Sequence, residues 1–175
     1  MKKILITGAN SYLGTSLEEY LKQWPCEYLT DTIDMLNSSL NEVSFEGYDS
    51  VFHVVGIAHS DTSHFDQKMK NEYYKVNTDL AIKTANKAKA EGVKQFIFMS
   101  SAIIYGNVAP IGKSKTINRE TKPQPDNIYG DSKLKAENGL IALADEKFKV
   151  LILRAPMIYG KGSKGNYPVL SKISS

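Results

Sequence analysis

Residues 2–14 read KKILITGANSYLG, and this stretch decides the fold. KKILIT at 2–7 has the length and apolar content of a buried strand. GANSYLG follows at 8–14, and Leu13, Leu17, Tyr20 and Leu21 then recur at helical spacing until Pro25 closes the pattern. A strand, a glycine turn and a helix in that order form the setting that a phosphate-cradling turn requires. Gly8 permits the tight turn, and Gly14 lets the helix lie close on the strand. The free N–H groups and the dipole of the helix start favour an anion such as a pyrophosphate. The middle glycine of such turns is replaced by Ser11, whose Cβ would crowd the ligand or whose hydroxyl would bond to it. A plain strand–helix turn without a ligand is the competing reading of these residues alone.

Outward from this turn the chain keeps alternating. Residues 27–34 read as a second strand ending at Asp34, and 35–47 are polar and irregular, with no strand assigned. SVFHVV at 50–55 is a third strand, apolar on both faces. Residues 66–91 are helical, with Tyr73, Val76, Leu80, Ala81, Thr84 and Ala88 on the buried side and Gly92 as the stop. QFIFMS at 95–100 is a strand, and 102–126 form a long loop with Pro110, Pro123 and Pro125. A loop of that length in a compact domain is usually functional. A helix over 127–147 and the strand KVLILR at 149–154 follow. The alternation predicts an α/β domain: a doubly wound parallel sheet, joined by right-handed crossovers, with helices on both faces.

The 175 residues suffice for one such domain, and a hydrophobic share of 42% is that of an ordinary globular protein. No apolar run is long enough to span a membrane, and Ile4 to Ile6 is too short for the core of a signal peptide. Cys26 is the only cysteine, so an internal disulfide is excluded and a reducing cytoplasm is expected. The net charge is +3. Lys83, Lys87, Lys89 and Lys94 read as a solvated helix face, and without interleaved aromatics they do not suggest nucleic acid. His59 and His64 share a loop without a third ligand at metal spacing, so no metal is expected. His53 reads as a core histidine, and Trp24 and Cys26 as packing at a helix end.

Two further groups of residues carry chemistry. Asp34 ends the second strand, where a carboxylate would accept hydrogen bonds from adenosine ribose hydroxyls; Asp31, three residues earlier, competes for that role. A carboxylate there repels a 2′-phosphate and no arginine follows, so NAD is expected over NADP. Tyr129 and Lys133 are four residues apart on a helix and share a face. A phenol with pKa near 10 is a weak base at neutral pH, and a nearby ammonium lowers that value. The same lysine can hold the nicotinamide ribose. Ser101 lies just past a strand, at the carboxyl edge where open α/β sheets bind ligands, and its hydroxyl can bond to the substrate oxygen. Alone, Tyr-x-x-x-Lys is most simply a solvated helical pair. The serine strand end about thirty residues earlier and the glycine turn at the start of the chain argue for a site.

The ordered set ITGANSYLG (6–14), VFHVVG (51–56), VN (76–77), GVKQFIFMSSAIIYG (92–106), YGDSK (129–133) and LRAPMIYG (153–160) resembles the extended short-chain dehydrogenase/reductase family. The likeness is to its NAD-dependent epimerase/dehydratase branch, UDP-glucose 4-epimerase-like proteins among them, and covers essentially the whole chain. It implies a Rossmann-type NAD-binding domain over 1–175 with Ser101, Tyr129 and Lys133 as the catalytic triad. It implies that Gly8, Asn10, Ser11, Tyr12, Leu13 and Gly14 surround the pyrophosphate and that Asp34 takes the adenosine ribose. Val54, Val55 and Gly56 would line the cofactor, with Asn77 near the active site and Pro156 beside the nicotinamide. Tyr129 and Lys133 would also touch the cofactor.

The resemblance further implies a nucleotide-sugar substrate, most simply a UDP-sugar. The Tyr129 phenolate would take a proton from a sugar hydroxyl while hydride passes to NAD, and the 4-keto sugar would receive it back on its other face. Ser101 and Tyr129 would contact this substrate, and Asn166 matches a nucleotide-sugar contact. Relatives carry a second, C-terminal substrate lobe; 156–175, ending in KGNYPVLSKISS, reads as the start of that lobe, with the remainder missing. Homodimers of relatives pair through helices that would here be 66–91 and 127–147. Two departures stand out: Met157 replaces the family's strand-end asparagine, and the family's third strand is not found in 35–47. A dehydratase or reductase of the same branch is the nearest alternative. Dehydratases place Asp-Glu beside an active-site Thr, and Ser101-Ala102 lacks those acids. An NAD-binding module without catalytic activity is the alternative of a different class.

Overall fold

A computed structural model describes residues 1–58, 66–106, 112, 114–160, 162 and 163. Five strands, β1 (Lys2–Thr7), β2 (Tyr28–Ile33), β3 (Ser50–His53), β4 (Gln95–Ser101) and β5 (Lys149–Ala155), form one parallel sheet in the order β2-β1-β3-β4-β5. The chain moves outward from β1 to β2 and then returns to the other side of β1 to lay down β3. The strand order therefore reverses between β1 and β3, the switch point where ligands settle in open sheets.

Helices lie on both faces, and at β5 Leu151 and Leu153 stay exposed. Helix α1 (Tyr12–Leu21) lies on one, where a Cβ added to Gly14 would come 3.2 Å from Ile6 Cγ2. Helices α2 (Gln67–Tyr73), α3 (Ala81–Ala90) and α4 (Ile128–Ile141) occupy the other. There Leu5, Val51, Phe96 and Phe98 of the strands pack against Ala81, Ala85, Ala88, Ala136, Leu140 and Phe148. The small alanines on α3 and α4 bring the helices close to the aromatic strands, and Ile82 of α3 fills the space beside Gly139 of α4.

Helices α1, α2 and α4 each start where the sequence offers a short polar side chain. Ser11 accepts from Gly14 N, Asp66 from Met69 N, and Asn127 from Gly130 N, each satisfying an orphan first-turn donor. The expected helix over 66–91 is one continuous helical path. Its middle, Tyr74–Leu80, is wound with the wider π spacing and buries Asn77 and Thr78. Such π turns in helices are frequent at functional sites.

Several expectations are corrected. The helix expected to reach 147 ends at Ile141, because Asp145 accepts from Lys147 N and Phe148 N, both at 2.8 Å, and turns the chain into β5. In agreement with the sequence, residues 35–47 form no strand; they hold a short 3-10 turn at Leu40–Glu42, and Met35, Val43 and Phe45 on either side of it reach the core. Tyr20 is exposed rather than on the buried face of α1, and packs edge-on to Trp24 at 4.7 Å; Cys26 is exposed. His59, His64, Pro110 and Asn166 lie outside the described residues. Among the described residues no helix is long and apolar enough to cross a membrane, and no acidic, histidine and cysteine cluster could hold a metal.

Candidate active site

The glycine turn sits at the strand switch point. Gly8 has φ +128°, and a Cβ there would lie 2.6 Å from Val54 Cγ2 and 3.1 Å from Val55 N. Only a glycine lets the turn pass this close to the end of β3. A Cβ on Gly14 would stand 2.8 Å from the Gly8 carbonyl, so this position holds the helix start against the turn. Asn10 takes φ +63°, a left-handed conformation that asparagine tolerates better than most residues. The hydroxyl of Ser11 accepts from Gly14 N at 3.0 Å. Its oxygen therefore caps the helix start, and its hydroxyl hydrogen is left to donate elsewhere. The amides of Tyr12 and Leu13 open the first turn, where no intrahelical carbonyl reaches them. These donors, the tight glycines and the dipole fit a pyrophosphate.

The end of β2 is bound directly to this turn, since the Ile33 carbonyl accepts from Gly8 N at 2.8 Å and Ala9 N at 3.0 Å. Asp34 follows immediately. Its carboxylate accepts from Asn37 Nδ2 at 2.6 Å and Leu36 N at 3.0 Å, bonds that hold its pKa below the ordinary value. Asp31 instead accepts from the Tyr48 hydroxyl at 2.8 Å and pairs with Lys3 at 3.6 Å. Of the two candidates, Asp34 is the one beside the turn. Across the sheet edge, a Cβ on Gly160 would meet the Tyr12 hydroxyl at 2.6 Å, so Tyr12 reaches from α1 to the segment after β5. Pro156 and Met157, which open that segment, are exposed.

Strand β4 and helix α4 are joined through three consecutive strand residues. The Ser101 hydroxyl accepts from Ile103 N at 3.3 Å and stands near enough to the Tyr129 phenol to act on its acidity. The Met99 carbonyl accepts from Lys133 Nζ at 3.0 Å. The Ser100 hydroxyl donates to the Glu137 carboxylate. The structure thus brings Ser101, Tyr129 and Lys133 together. Gly56 joins them: a Cβ there would be 3.0 Å from Asn77 Oδ1 and 3.1 Å from Lys133 Nζ. Asn77, buried in the π turn, accepts from Ile57 N at 2.8 Å and donates to the Ile57 carbonyl and Ser132 Oγ, each at 3.0 Å. It ties the end of β3 to α4.

The electrostatics differ from the expectation for the tyrosine. Burial pushes the Tyr129 phenol above its ordinary value; the Ser101 hydroxyl pulls it down, and the neighbouring Tyr73 phenol pushes it up again. The Tyr73 ring meets Tyr129 edge-on at 6.4 Å. Lys133 does not lower the phenol here because its amine is turned to Met99. Burial pushes Lys133 down to about 8, with Glu137 acting in the opposite sense. His53 stacks on Phe96 and Phe98 at 5.5 and 6.0 Å, and its Nδ1 lies 2.8 Å from Thr7 Oγ1. Its Nε2 finds no hydrogen-bond partner among the described residues, and burial pushes its pKa down to about 3.

With this geometry in hand, comparisons place the chain. Residues 4–174 match the model of the NAD dependent epimerase/dehydratase family, and the chain belongs to that family. A UDP-glucose 4-epimerase of Vibrio cholerae is 31% identical over 193 residues, covering 99% of this chain and 57% of that protein. Among solved structures, RMD from Pseudomonas aeruginosa complexed with NADPH matches with TM-score 0.77 at 23% identity, covering 98% of this chain and 58% of the other. MoeE5 in complex with UDP-glucuronic acid and NAD matches with TM-score 0.75 at 22% identity, covering 97% and 59%. These two likenesses establish the fold, and the chain spans somewhat over half the length of the relatives it matches. NAD is the family's cofactor, as expected from the sequence.

Proposed function

We propose that this chain is the cofactor half of an NAD-dependent nucleotide-sugar epimerase of the UDP-glucose 4-epimerase type. The observation that carries the proposal is the gathering of Ser101 and Tyr129 at the carboxyl end of β4, with the Lys133 amine held one helical turn away on the Met99 carbonyl and beside Gly56. The amides of Tyr12 and Leu13 would hold the pyrophosphate and Asp34 the adenosine ribose. When bound, NAD supplies a hydride acceptor and donor beside the sugar carbon. Ser101 orients the sugar hydroxyl, and Tyr129 takes its proton and later returns it. Lys133 holds the ribose and supplies positive charge near the phenol once the site is filled. Val54, Val55 and Pro156 line the cofactor, and Asn166 contacts the substrate nucleotide.

A reductase of the same family is the second reading, favoured by the 29% identity to a UDP-2-acetamido-2,6-beta-L-arabino-hexul-4-ose reductase of Pseudomonas aeruginosa. Ala102 beside Ser101, where a dehydratase would carry acids, argues against dehydration. Pairing of two copies through α3 and α4 is part of the proposal and is supported by Ile141, exposed at the end of α4.

The test is turnover of UDP-glucose by the protein with NAD, followed by NMR of the sugar products. Epimerised product is expected, and Tyr129→Phe should reduce its rate by about 10²–10⁴-fold. Reduced product with consumption of NADH would favour the reductase. NAD binding in calorimetry without turnover of any nucleotide sugar would favour a binding module.

A further inference from the structure

Glu137 is the next residue along the face of α4 that carries Tyr129 and Lys133. It is fully buried, and Arg154 of β5 forks onto it, with Nε 3.1 Å from both carboxylate oxygens and Nη2 2.7 Å from Oε2. The Ser100 hydroxyl donates to Oε1. Beyond the fork, Arg154 Nη1 donates to the Tyr105 hydroxyl, 2.5 Å away, in the turn that follows Ser101. A buried carboxylate this fully held is expensive to keep, and hydrophobic residues of the same volume commonly serve a core as well. Its placement suggests a task.

We propose that Glu137 is a positioning residue, the counter-charge that keeps the Lys133 amine protonated one helical turn away on the same buried face of α4. The inference rests on the reading of Tyr129 as the base, since only an ammonium, and not a neutral amine, favours a phenolate. Lys133 has little else to keep its charge. Its amine has the Met99 carbonyl and the face of the Phe98 ring, 4.7 Å from the ring centroid. The titratable groups around it are His53 on β3, held neutral by burial, and Tyr129 and Glu137 on α4; Arg154 on β5 turns its guanidinium to Glu137. Burial already brings the lysine to about 8, within reach of neutral pH. The Arg154 fork and the Ser100 hydroxyl fix the carboxylate on the helix face where it opposes that loss.

The test is an NMR titration of 13C-lysine-labelled protein without cofactor, the Lys133 signal being assigned by its disappearance in Lys133→Arg. Glu137→Gln should lower the Lys133 midpoint by about one pH unit or more. Glu137→Gln combined with Arg154→Gln removes both members of the ion pair and leaves no unpaired guanidinium, so it tests the same shift where the single variant fails to fold, and the midpoint should again fall. A midpoint unchanged in the variant that folds, with only a lower melting temperature, would mean that the pair is merely structural and would overturn the proposal. Failure of the wild type to bind NAD would instead sink the epimerase reading, and this titration is independent of it.

Discussion

Lys133 Nζ donates to the carbonyl of Met99 at 3.0 Å, two residues before Ser101 on the same strand. The bond fixes the amine in the core, where burial holds its pKa at about 8. In the unfolded chain the same group titrates near 10.4. Between these values the unfolded chain binds the proton and the folded one releases it, so stability must rise as pH rises from about 8 towards 10. The gain should be about 3 kcal/mol, an order of magnitude from the size of the shift. Urea unfolding of the wild type and of Lys133→Met across this range checks it. The difference between the two should widen in favour of the wild type; parallel curves would show that the lysine is not buried as described.

The glycine turn makes a steric prediction. Gly8→Ala puts a Cβ 2.6 Å from Val54 Cγ2 at a φ of +128°, a conformation closed to other residues. Either β3 or the turn must move, and the amides that fit a pyrophosphate move with it. Loss of about 2 kcal/mol or more of stability is expected, together with at least a tenfold loss of NAD affinity. Unfolding midpoints and calorimetry read the two separately. NAD binding at wild-type strength in Gly8→Ala would remove the turn from the cofactor site.

The fold was legible because its signals are local. KKILIT followed by GANSYLG specifies strand, turn and helix within thirteen residues, and β3, β4 and β5 are apolar runs bounded by polar or glycine-containing segments. Ser101, Tyr129 and Lys133 were legible from a four-residue spacing and a strand end. What the sequence hid depends on contacts between distant residues. The π turn at 74–80 has no periodicity of its own, and the exposure of Tyr20 depends on how α1 rests on the sheet. The direction of the Tyr129 shift is not legible in the sequence, because spacing on a helix gives proximity but not where an amine points, and the Met99 carbonyl is invisible in a residue code. Glu137 carried a usable signal, one turn past Lys133, but Arg154 and Ser100 lie on two other elements. Between the two aspartates that the sequence left open, Asp34 lies beside the glycine turn while Asp31 is bonded to Tyr48 and Lys3, a difference no residue code shows.

Asp34 allows a cofactor-preference prediction. Its carboxylate is held at the end of β2, next to the Ile33 carbonyl that anchors the turn. A fixed negative charge at the adenosine ribose disfavours a 2′-phosphate. Asp34→Asn keeps the acceptor for Leu36 N and removes the charge. NADP affinity should rise about tenfold relative to NAD, the factor that corresponds to roughly 1.4 kcal/mol of relieved repulsion. Calorimetric titration with both cofactors reads the ratio. An unchanged ratio would place the ribose elsewhere.

His53 makes the last prediction, on acid stability. Its ring is fully buried between Phe96 and Phe98, with one nitrogen on Thr7, and burial holds its pKa at about 3, against about 6.5 unfolded. Between those values the unfolded chain binds a proton that the folded chain refuses, so stability must fall as pH drops from about 6.5 towards 3. By pH near 4.5 the penalty should reach about 2–3 kcal/mol, again an order of magnitude. Carboxylates also lose their native interactions over this range, so the wild type alone does not isolate the histidine. His53→Asn keeps a polar partner for Thr7 and cannot take up the proton. It should cost stability at neutral pH through the lost ring stacking and yet lose less on acidification, so the two stability curves converge below pH 6. Curves that stay parallel down to pH 4.5 would show that the ring can be protonated in place, and the unpartnered Nε2 would then have a proton acceptor that this packing does not provide.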